Sequence, residues 1–283
     1  MTVLMPTSLT EALAALTSMP HAHLLAGGTD LMVEVNFNRR KPTDVIALRR
    51  VKELSHWSVH PDGTSLTIGA GLPYAAMEGG TIAKLVPALA QAARTVGSPQ
   101  IRAVATLGGN LGTCSPAGDG LPVLSALDAV VHLQSPSDRR DVSVHDFMVG
   151  VKRTTRAANE LITGVSVPVL SGWQGYTKVG VRNAMVIAVA SACLAVDTTG
   201  NTVRLALGAV GPTVIRCRET EAWFATQHDV SSATPVLAAL AKEFGVRAAT
   251  EARPIDDHRS TAAYRRHAIK VLADRLVQRA YPA

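Results

Sequence analysis

The sequence predicts an α+β protein in two parts, residues 1–170 and 171–283, with the first part divided into lobes of about 1–55 and 56–170. Two patterns carry that prediction. Runs of branched apolar residues that suit strands alternate with stretches whose apolar residues recur at helical spacing, and a glycine-rich segment from Gly97 to Gly120 interrupts them. Pro168 to Gly175, with Pro, Ser and two Gly, then reads as a linker to a region that turns helical towards its end. A chain of 283 residues also exceeds what one hydrophobic core usually serves.

In chain order, Ser8-Leu9-Thr10-Glu11 reads as a capping box, and Leu9, Leu13 and Leu16 follow at helical spacing. The apolar run His23 to Ala26, a Gly27-Gly28 turn and the branched run Asp44 to Leu48 give a small βαβ-type lobe ending near Leu54. Ser65 to Ala70 alternates as a strand does. Ile82 to Thr95 places Ile82, Leu85, Val86, Leu89 and Ala93 on one helical face. Beyond the glycine-rich segment, Ala129–Leu133, Asp141–Val144 and Leu161–Val167 read as strands, so the second lobe is expected to be mainly β. Three more strand-like stretches follow the linker, Tyr176–Val181, Met185–Val196 and Val203–Val210. Helical patterns close the chain at Ala222–Ala225, Ala233–Phe244 and Thr261–Ala280, the last with Tyr264, Ala268, Leu272 and Leu276 on one stripe.

Composition excludes several functions. An apolar fraction of 47% with 18% charged residues argues against wholesale disorder. A net charge of +6 invites a nucleic-acid reading, but four Phe, four Tyr and three Trp leave few rings for bases to stack on. The longest uncharged apolar stretch, Ala184 to Val196, is interrupted by Ser191 and falls short of the ~20 residues a membrane-spanning helix needs. Met1 to Pro20 lacks a basic region before an apolar core, so a cytoplasmic protein is expected. Cys114, Cys193 and Cys217 form no CxxC pair. They suggest neither a disulfide framework nor a zinc site, and three thiolates are too few for an ordinary iron–sulfur cluster.

Two glycine-rich turns stand out, Ala26-Gly27-Gly28-Thr29-Asp30 and Thr106-Leu107-Gly108-Gly109-Asn110. Glycine lets a backbone approach a phosphate and adopt positive φ, and successive free N–H groups form an anion-binding nest; the alternative is a pair of tight turns. Asp119, after Ser115-Pro116-Ala117-Gly118, suits either a hydroxyl acceptor or the cap of a following turn. No G-x-G-x-x-G, Walker-type, H-E-x-x-H or G-x-S-x-G motif is present. His21, His23, His56 and His60 lack companions at metal-ligand spacing, and the basic runs Arg39-Arg40-Lys41 and Arg49-Arg50 read as solvated.

Taken together, these residues resemble the FAD-binding (medium) subunit of the molybdenum hydroxylases, the xanthine dehydrogenase and carbon monoxide dehydrogenase family. The resemblance rests on Leu24 to Leu31 with Lys41-Pro42, on the long signature Gly97-Ser98-Pro99-Gln100-Ile101-Arg102-Ala103-Val104-Ala105-Thr106-Leu107-Gly108-Gly109-Asn110 continuing through Cys114-Ser115-Pro116 to Asp119, and on Gly208-Ala209-Val210-Gly211-Pro212 with Arg216, Asp257, Arg259, Ser260, Tyr264 and Arg265. It implies a two-lobed FAD-binding domain of the vanillyl-alcohol-oxidase type. A smaller C-terminal domain with a three-stranded antiparallel sheet and helices would follow.

Carried over by position, Leu24, Leu25, Ala26, Gly27, Gly28, Thr29, Asp30 and Leu31, with Thr106, Leu107, Gly108, Gly109 and Asn110, would line the FAD phosphates and ribityl chain. Asp119 would take a hydroxyl hydrogen bond, and Ile162 and Lys178 would stand near the flavin ring. Val96 departs from the aromatic residue that many eukaryotic members place beside that ring. The resemblance further implies an electron-transfer subunit with no general acid or base of its own and no metal. It would work beside a large molybdopterin subunit and a small subunit carrying [2Fe–2S] clusters, with NAD+ or another acceptor. The Gly27-Gly28-Thr29-Asp30 loop and Met32 to Asn36 lean towards xanthine-dehydrogenase-type chains. Carbon monoxide dehydrogenase and N-heterocycle hydroxylase subunits are the nearer alternatives, and a stand-alone FAD oxidase is the more distant one.

Overall fold

A computed structural model describes residues 2–282. In the first lobe β1 (Thr2–Leu4), α1 (Leu9–Ser18), β2 (His23–Leu25), α2 (Leu31–Asn36) and β3 (Asp44–Ala47) alternate. The strands pair in the order β1-β3-β2, all parallel. Helix α1 buries Ala12, Leu13 and Leu16 against Ile46, Val51, Leu54 and Leu161. The Ser8 hydroxyl accepts from the Glu11 N–H at 3.2 Å, as the capping box requires. Glu11 itself reaches one residue further back, to the Thr7 N–H at 2.7 Å and the Thr7 hydroxyl.

The second lobe runs β4 (Trp57–Val59), β5 (Ser65–Gly69), α3 (Tyr74–Met77), α4 (Gly80–Leu85), α5 (Pro87–Thr95), α6 (Pro99–Arg102), α7 (Leu107–Thr113) and α8 (Gly120–Ala126). It continues through β6 (Val130–Gln134), β7 (Arg139–Ser143), α9 (Val144–Phe147), the hairpin β8 (Met148–Gly150) and β9 (Arg153–Thr154), and β10 (Leu161–Pro168). Its main sheet has the order β4-β5-β10-β6-β7 and is antiparallel throughout. Helices cover one face of it, so this lobe is α+β rather than mainly β. The single helix expected over Ile82–Thr95 is two, because Pro87 has no N–H to continue α4 and instead opens α5, leaving Val86 non-helical at φ −131° and ψ 69°. The glycine-rich segment is likewise not all loop: it holds α6 and α7 and runs into the first residue of α8.

The C-terminal region comprises β11 (Gln174–Val179), β12 (Ala190–Asp197), β13 (Thr202–Gly208), β14 (Ile215–Arg216), α10 (Arg218–Gln227), α11 (Ala238–Glu251) and α12 (Ala262–Ala280). Three antiparallel strands were expected, and the two-residue β14 adds a fourth at the edge. The strand expected from Met185 begins at Ala190, since residues 180–189 form a loop in which Met185 is left-handed (φ 51°) and Arg182 donates to the Ala184 carbonyl. Tyr264 of the expected α12 stripe is half exposed, and the buried face instead runs through Arg265, Ala268, Ile269, Leu272 and Leu276.

This sheet is buried on both faces, as the alternation of strand side chains dictates. Tyr176, Cys193, Ala195 and Ala206 join the core of the second lobe against α5 and α8. Ala192, Leu194, Val196, Val203, Leu205 and Leu207 form a second core with α10, α11 and α12. The region after residue 170 therefore meets the second lobe over a packed face of small side chains, which lets α8 lie directly on β12 and β13.

An ionic hub stitches the same seam. Asp128, left-handed at φ 49°, accepts from His145 Nε2 at 2.8 Å and from Arg216, and forms an ion pair with Arg204 Nε at 3.2 Å. Arg216 also binds Glu221 at 2.6 and 3.0 Å and donates to the Ser125 carbonyl. Burial raises the Asp128 pKa, but the hydrogen bond from His145 and the charges of Arg216 and Arg204 outweigh it and hold the carboxyl down at about 2. A depressed carboxyl contributes stability that is complete above its unfolded pKa and is lost as the pH falls from about 4 towards 2. We expect Arg216→Met, which strips both Asp128 and Glu221 of their cation, to lower the unfolding free energy by about 3 kcal/mol at pH 7 in urea denaturation. Asp128→Asn should flatten the acid limb of the stability profile.

Candidate functional site

Both lobes and the loop after β11 enclose a cavity of about 690 Å³, within the roughly 300–1,000 Å³ typical of cofactor and ligand sites. Its wall is built where the two glycine-rich segments meet. A Cβ on Gly27 would stand 1.9 Å from the Val104 carbonyl oxygen, so the first loop lies directly on the backbone leading into α7. A Cβ on Gly108 would stand 2.5 Å from Ala70 Cβ, which seats α7 against the end of β5. These two glycines are required by backbone-to-backbone packing. Gly28 is required for another reason, its left-handed φ of 73°, which turns the chain from β2 into α2.

The two segments differ in what they offer a ligand. Across Gly27, Gly28, Thr29 and Asp30, no backbone N–H finds a protein acceptor among the described residues. They line the cavity as a run of free donors, the arrangement of an anion nest. The second segment is not a turn but the N-cap and first turn of α7. Thr106 Oγ1 accepts from the Gly109 N–H at 3.0 Å, and the N–H groups of Leu107, Gly108 and Asn110 go to Leu72, Ala70 and Thr106 carbonyls. Its contribution to the cavity is therefore the small surface of Gly108 and Gly109 and the side chains of Thr106 and Asn110. Asn110 is fixed by the Tyr74 hydroxyl, which donates to its Oδ1 at 2.8 Å.

Of the residues expected from sequence, Leu24 through Leu31, Thr106, Gly108, Gly109, Asn110, Asp119 and Ile162 all line this one cavity. Leu107 does not: it is fully buried in the core of the second lobe, on the side of α7 that meets α8. Lys178 stands one layer back, its ammonium 2.7 Å from Asp119 Oδ2 and 2.9 Å from the Thr95 carbonyl. Asp119 occupies the N-cap position of α8 without making a cap hydrogen bond, so the turn-capping alternative fails. Its other oxygen accepts from the Tyr176 hydroxyl at 2.8 Å. Burial pushes the Asp119 carboxyl up, against the charge and hydrogen bond of Lys178 and the hydrogen bond of Tyr176, which pull it down.

Sequence reasoning missed several wall residues. Tyr74, Lys152 and Arg156 line the cavity, with Ile101 and the Met185–Ile187 stretch of the loop after β11. Lys152 pairs with Glu34 and lies 3.6 Å from Asp30, tying the β8–β9 turn to the first loop. The signal for the two cations in the sequence is the basic run from Lys152 to Arg156, around the two-residue strand β9. Among the described residues no cluster of His, Cys, Asp or Glu is placed to hold a metal, and no helix is long and apolar enough to cross a membrane.

Comparison with known proteins meets this geometry from the other side. A family model described as the FAD binding domain in molybdopterin dehydrogenase matches residues 1–170, and one described as the CO dehydrogenase flavoprotein C-terminal domain matches residues 175–280. The chain belongs to the FAD-binding medium-subunit family of the molybdenum hydroxylases. It is 33% identical to the glyceraldehyde dehydrogenase medium chain of Sulfolobus acidocaldarius, over 94% of this chain and 92% of that protein. It is 26% identical to the xanthine dehydrogenase FAD-binding subunit of Escherichia coli O157:H7, over 98% of this chain and 94% of that protein. Among solved structures, carbon monoxide dehydrogenase from Hydrogenophaga pseudoflava superimposes with a TM-score of 0.87 at 26% identity, covering 99% of this chain and 96% of that one. Quinoline 2-oxidoreductase from Pseudomonas putida 86 shares the fold, with a TM-score of 0.90 at 24% identity and coverage of 99% and 96%.

Members of this family are FAD subunits of oxidoreductases, and the residues present suit that cofactor. The free donors of Gly27 to Asp30 match a pyrophosphate, the buried carboxylate of Asp119 matches a polyol hydroxyl, and Val96 and Ile162 supply apolar wall. The two glycine positions separate architecture from ligand contact. We expect Gly27→Ala to lower the thermal midpoint of the cofactor-free chain sharply, because its Cβ meets backbone. Gly109→Ala meets only Thr106 Oγ1 at 3.0 Å and Ala26 Cβ at 3.8 Å. It should change stability by less than about 1 kcal/mol in the same melt.

Proposed function

We propose that this chain is the electron-transferring FAD subunit of a heterotrimeric, xanthine-dehydrogenase-type molybdenum hydroxylase. It holds one FAD non-covalently and passes electrons from the [2Fe–2S] clusters of a small partner subunit to NAD+ or another acceptor. The substrate is oxidised at a molybdopterin centre on a large partner subunit, in the cytoplasm. The observation that carries this reading is the single cavity on which both glycine segments, Asp119 and Ile162 converge.

Within that reading, the backbone N–H groups of Gly27 to Asp30 hold the pyrophosphate, with the Thr29 hydroxyl beside them. Thr106, Gly108, Gly109 and Asn110 give the close, small-residue surface along which the ribityl chain runs. Asp119 accepts from a ribityl hydroxyl, and Ile162 packs near the ring. Bound FAD supplies the redox chemistry, and the protein sets its position and surroundings. No residue of this chain acts as general acid or base. The domain division at residue 170 then separates the part that holds the cofactor from the part that closes over it.

The xanthine-dehydrogenase type is supported by the Gly27-Gly28-Thr29-Asp30 loop and Met32 to Asn36. The relatives' own names span glyceraldehyde, xanthine, nicotinate and carbon monoxide, as expected if substrate choice sits on another subunit. The test is the visible spectrum of the complex purified with its neighbours, resolved by subunit and followed on adding NADH. Flavin released from this chain, with iron–sulfur absorbance confined to its partners, is the expected result; a chain that takes up no FAD even in excess overturns the reading. A chain that turns over an alcohol or amine without partners would make it a free-standing oxidase instead. For Asp119→Ala we expect FAD binding weaker by about 1–3 kcal/mol in fluorescence titration, the worth of a charge-assisted hydrogen bond.

A further inference from the structure

Asp119 is the one carboxylate in the cavity wall whose two oxygens are both claimed by a single strand from beyond the linker. Lys178 and Tyr176 sit two residues apart on β11, and strand side chains at that spacing project from the same face. Lys178 binds one oxygen at 2.7 Å and the Tyr176 hydroxyl binds the other at 2.8 Å. The Lys178 and Asp119 side chains are 6% and 8% exposed.

Asp119 lines the FAD cavity, whereas Tyr176 and Lys178 line a separate depression on the other side of the wall, with Thr95, Gln91 and Arg94. β11 is held at this height by α5, since the Tyr176 N–H donates to Gln91 Oε1 at 2.7 Å and Lys178 to the Thr95 carbonyl at 2.9 Å. Every polar group that faces Asp119 can be named: Lys178 and Tyr176 from β11, Thr95 from α5, and Tyr74 from α3, with Ser191 of β12 behind Tyr176. Among these groups of the described residues Lys178 is the only cation.

We infer that Lys178 and Tyr176 are positioning residues that act on the cofactor through Asp119, keeping its buried carboxylate ionised and aimed into the cavity so that FAD affinity does not vary with pH. The inference rests on the FAD reading above. A buried carboxyl stays charged only while a counter-charge and hydrogen bonds compensate its lost hydration, and here the compensation comes entirely from β11 and Thr95. Without the Lys178 ammonium, the largest pull that opposes burial is gone and the Asp119 carboxyl moves further up, towards its protonated form. A neutral carboxyl is a weaker acceptor for a ribityl hydroxyl. Lys178 thus carries a role for the C-terminal region in cofactor retention that operates without its own contact to the flavin.

The test is FAD affinity of the full chain, read by flavin fluorescence quenching from pH 6 to pH 9, for the native protein, Lys178→Met, Lys178→Arg and Tyr176→Phe. The native chain should be flat across this range. Lys178→Met should bind close to native at pH 9 and lose about tenfold in affinity per pH unit below the raised Asp119 pKa. Lys178→Arg should restore the flat profile, and Tyr176→Phe should show the same slope displaced to lower pH. Lys178→Met in the Asp119→Asn background should lose its pH dependence altogether. A pH-independent loss in Lys178→Met, parallel to the native curve, would overturn the inference, because Lys178 would then be a simple pocket cation; so would no loss at any pH. If Lys178→Met does not fold, Tyr176→Phe decides, a flat profile refuting the inference. Failure of the native chain itself to bind FAD would instead refute the FAD reading, so the two outcomes are separable.

Discussion

The cavity exists because backbone touches backbone at places where no side chain fits. Gly27 lies on the Val104 carbonyl and Gly108 lies on Ala70, and in both places a single methyl group would fall inside van der Waals contact. The first contact joins the parallel sheet of lobe one to the helical side of lobe two. The second sets α7 against the end of β5. With both in place, the loop from β2 to α2 lies along the cavity wall, and the N–H groups of Gly27 to Asp30 find no protein acceptor among the described residues. Free donors in a concave site favour an anion, so the anion-binding role proposed for this loop would follow from the packing.

The C-terminal region completes the site from behind. Strands β12 and β13 carry small residues on the face towards α8 and larger ones on the face towards α10 and α12, so one sheet serves two cores. That close approach brings β11 within hydrogen-bonding distance of Asp119 and carries the residue 180–189 loop to the cavity, where Met185, Val186 and Ile187 join its lining. The Asp128 hub, with Arg204 and Arg216 from the sheet and His145 from the second lobe, locks the same seam at its other end. All three cysteines are buried, and burial pushes their thiols up, away from the reactive thiolate form.

Much of this was legible in the sequence wherever a local rule suffices. The Ser8 cap, the alternating strands and the α12 periodicity depend on neighbours a few residues apart, and they appear close to where the pattern puts them. The family motifs converge on one cavity, since all but Leu107 and Lys178 of the expected residues line it. The errors came from competition between local signals. The apolar face of Ile82–Thr95 suggested one helix, but Pro87 divided it. The glycines of Thr106–Asn110 suggested a turn, but the Thr106 cap and tertiary packing made them helical. Asp119 shows what sequence could not reveal: its partners lie 57 and 59 residues away, and only the two-faced sheet brings them to it.

The central claim is that the first loop supplies the backbone donors and the second segment only the surface. A crystal structure of the chain soaked or co-purified with FAD tests it directly. The account predicts pyrophosphate oxygens within hydrogen-bonding distance of the Gly27 to Asp30 N–H groups, with the Leu107 to Asn110 N–H groups still donating to their protein acceptors. A pyrophosphate held by the α7 N–H groups, or placed outside this cavity, would contradict it.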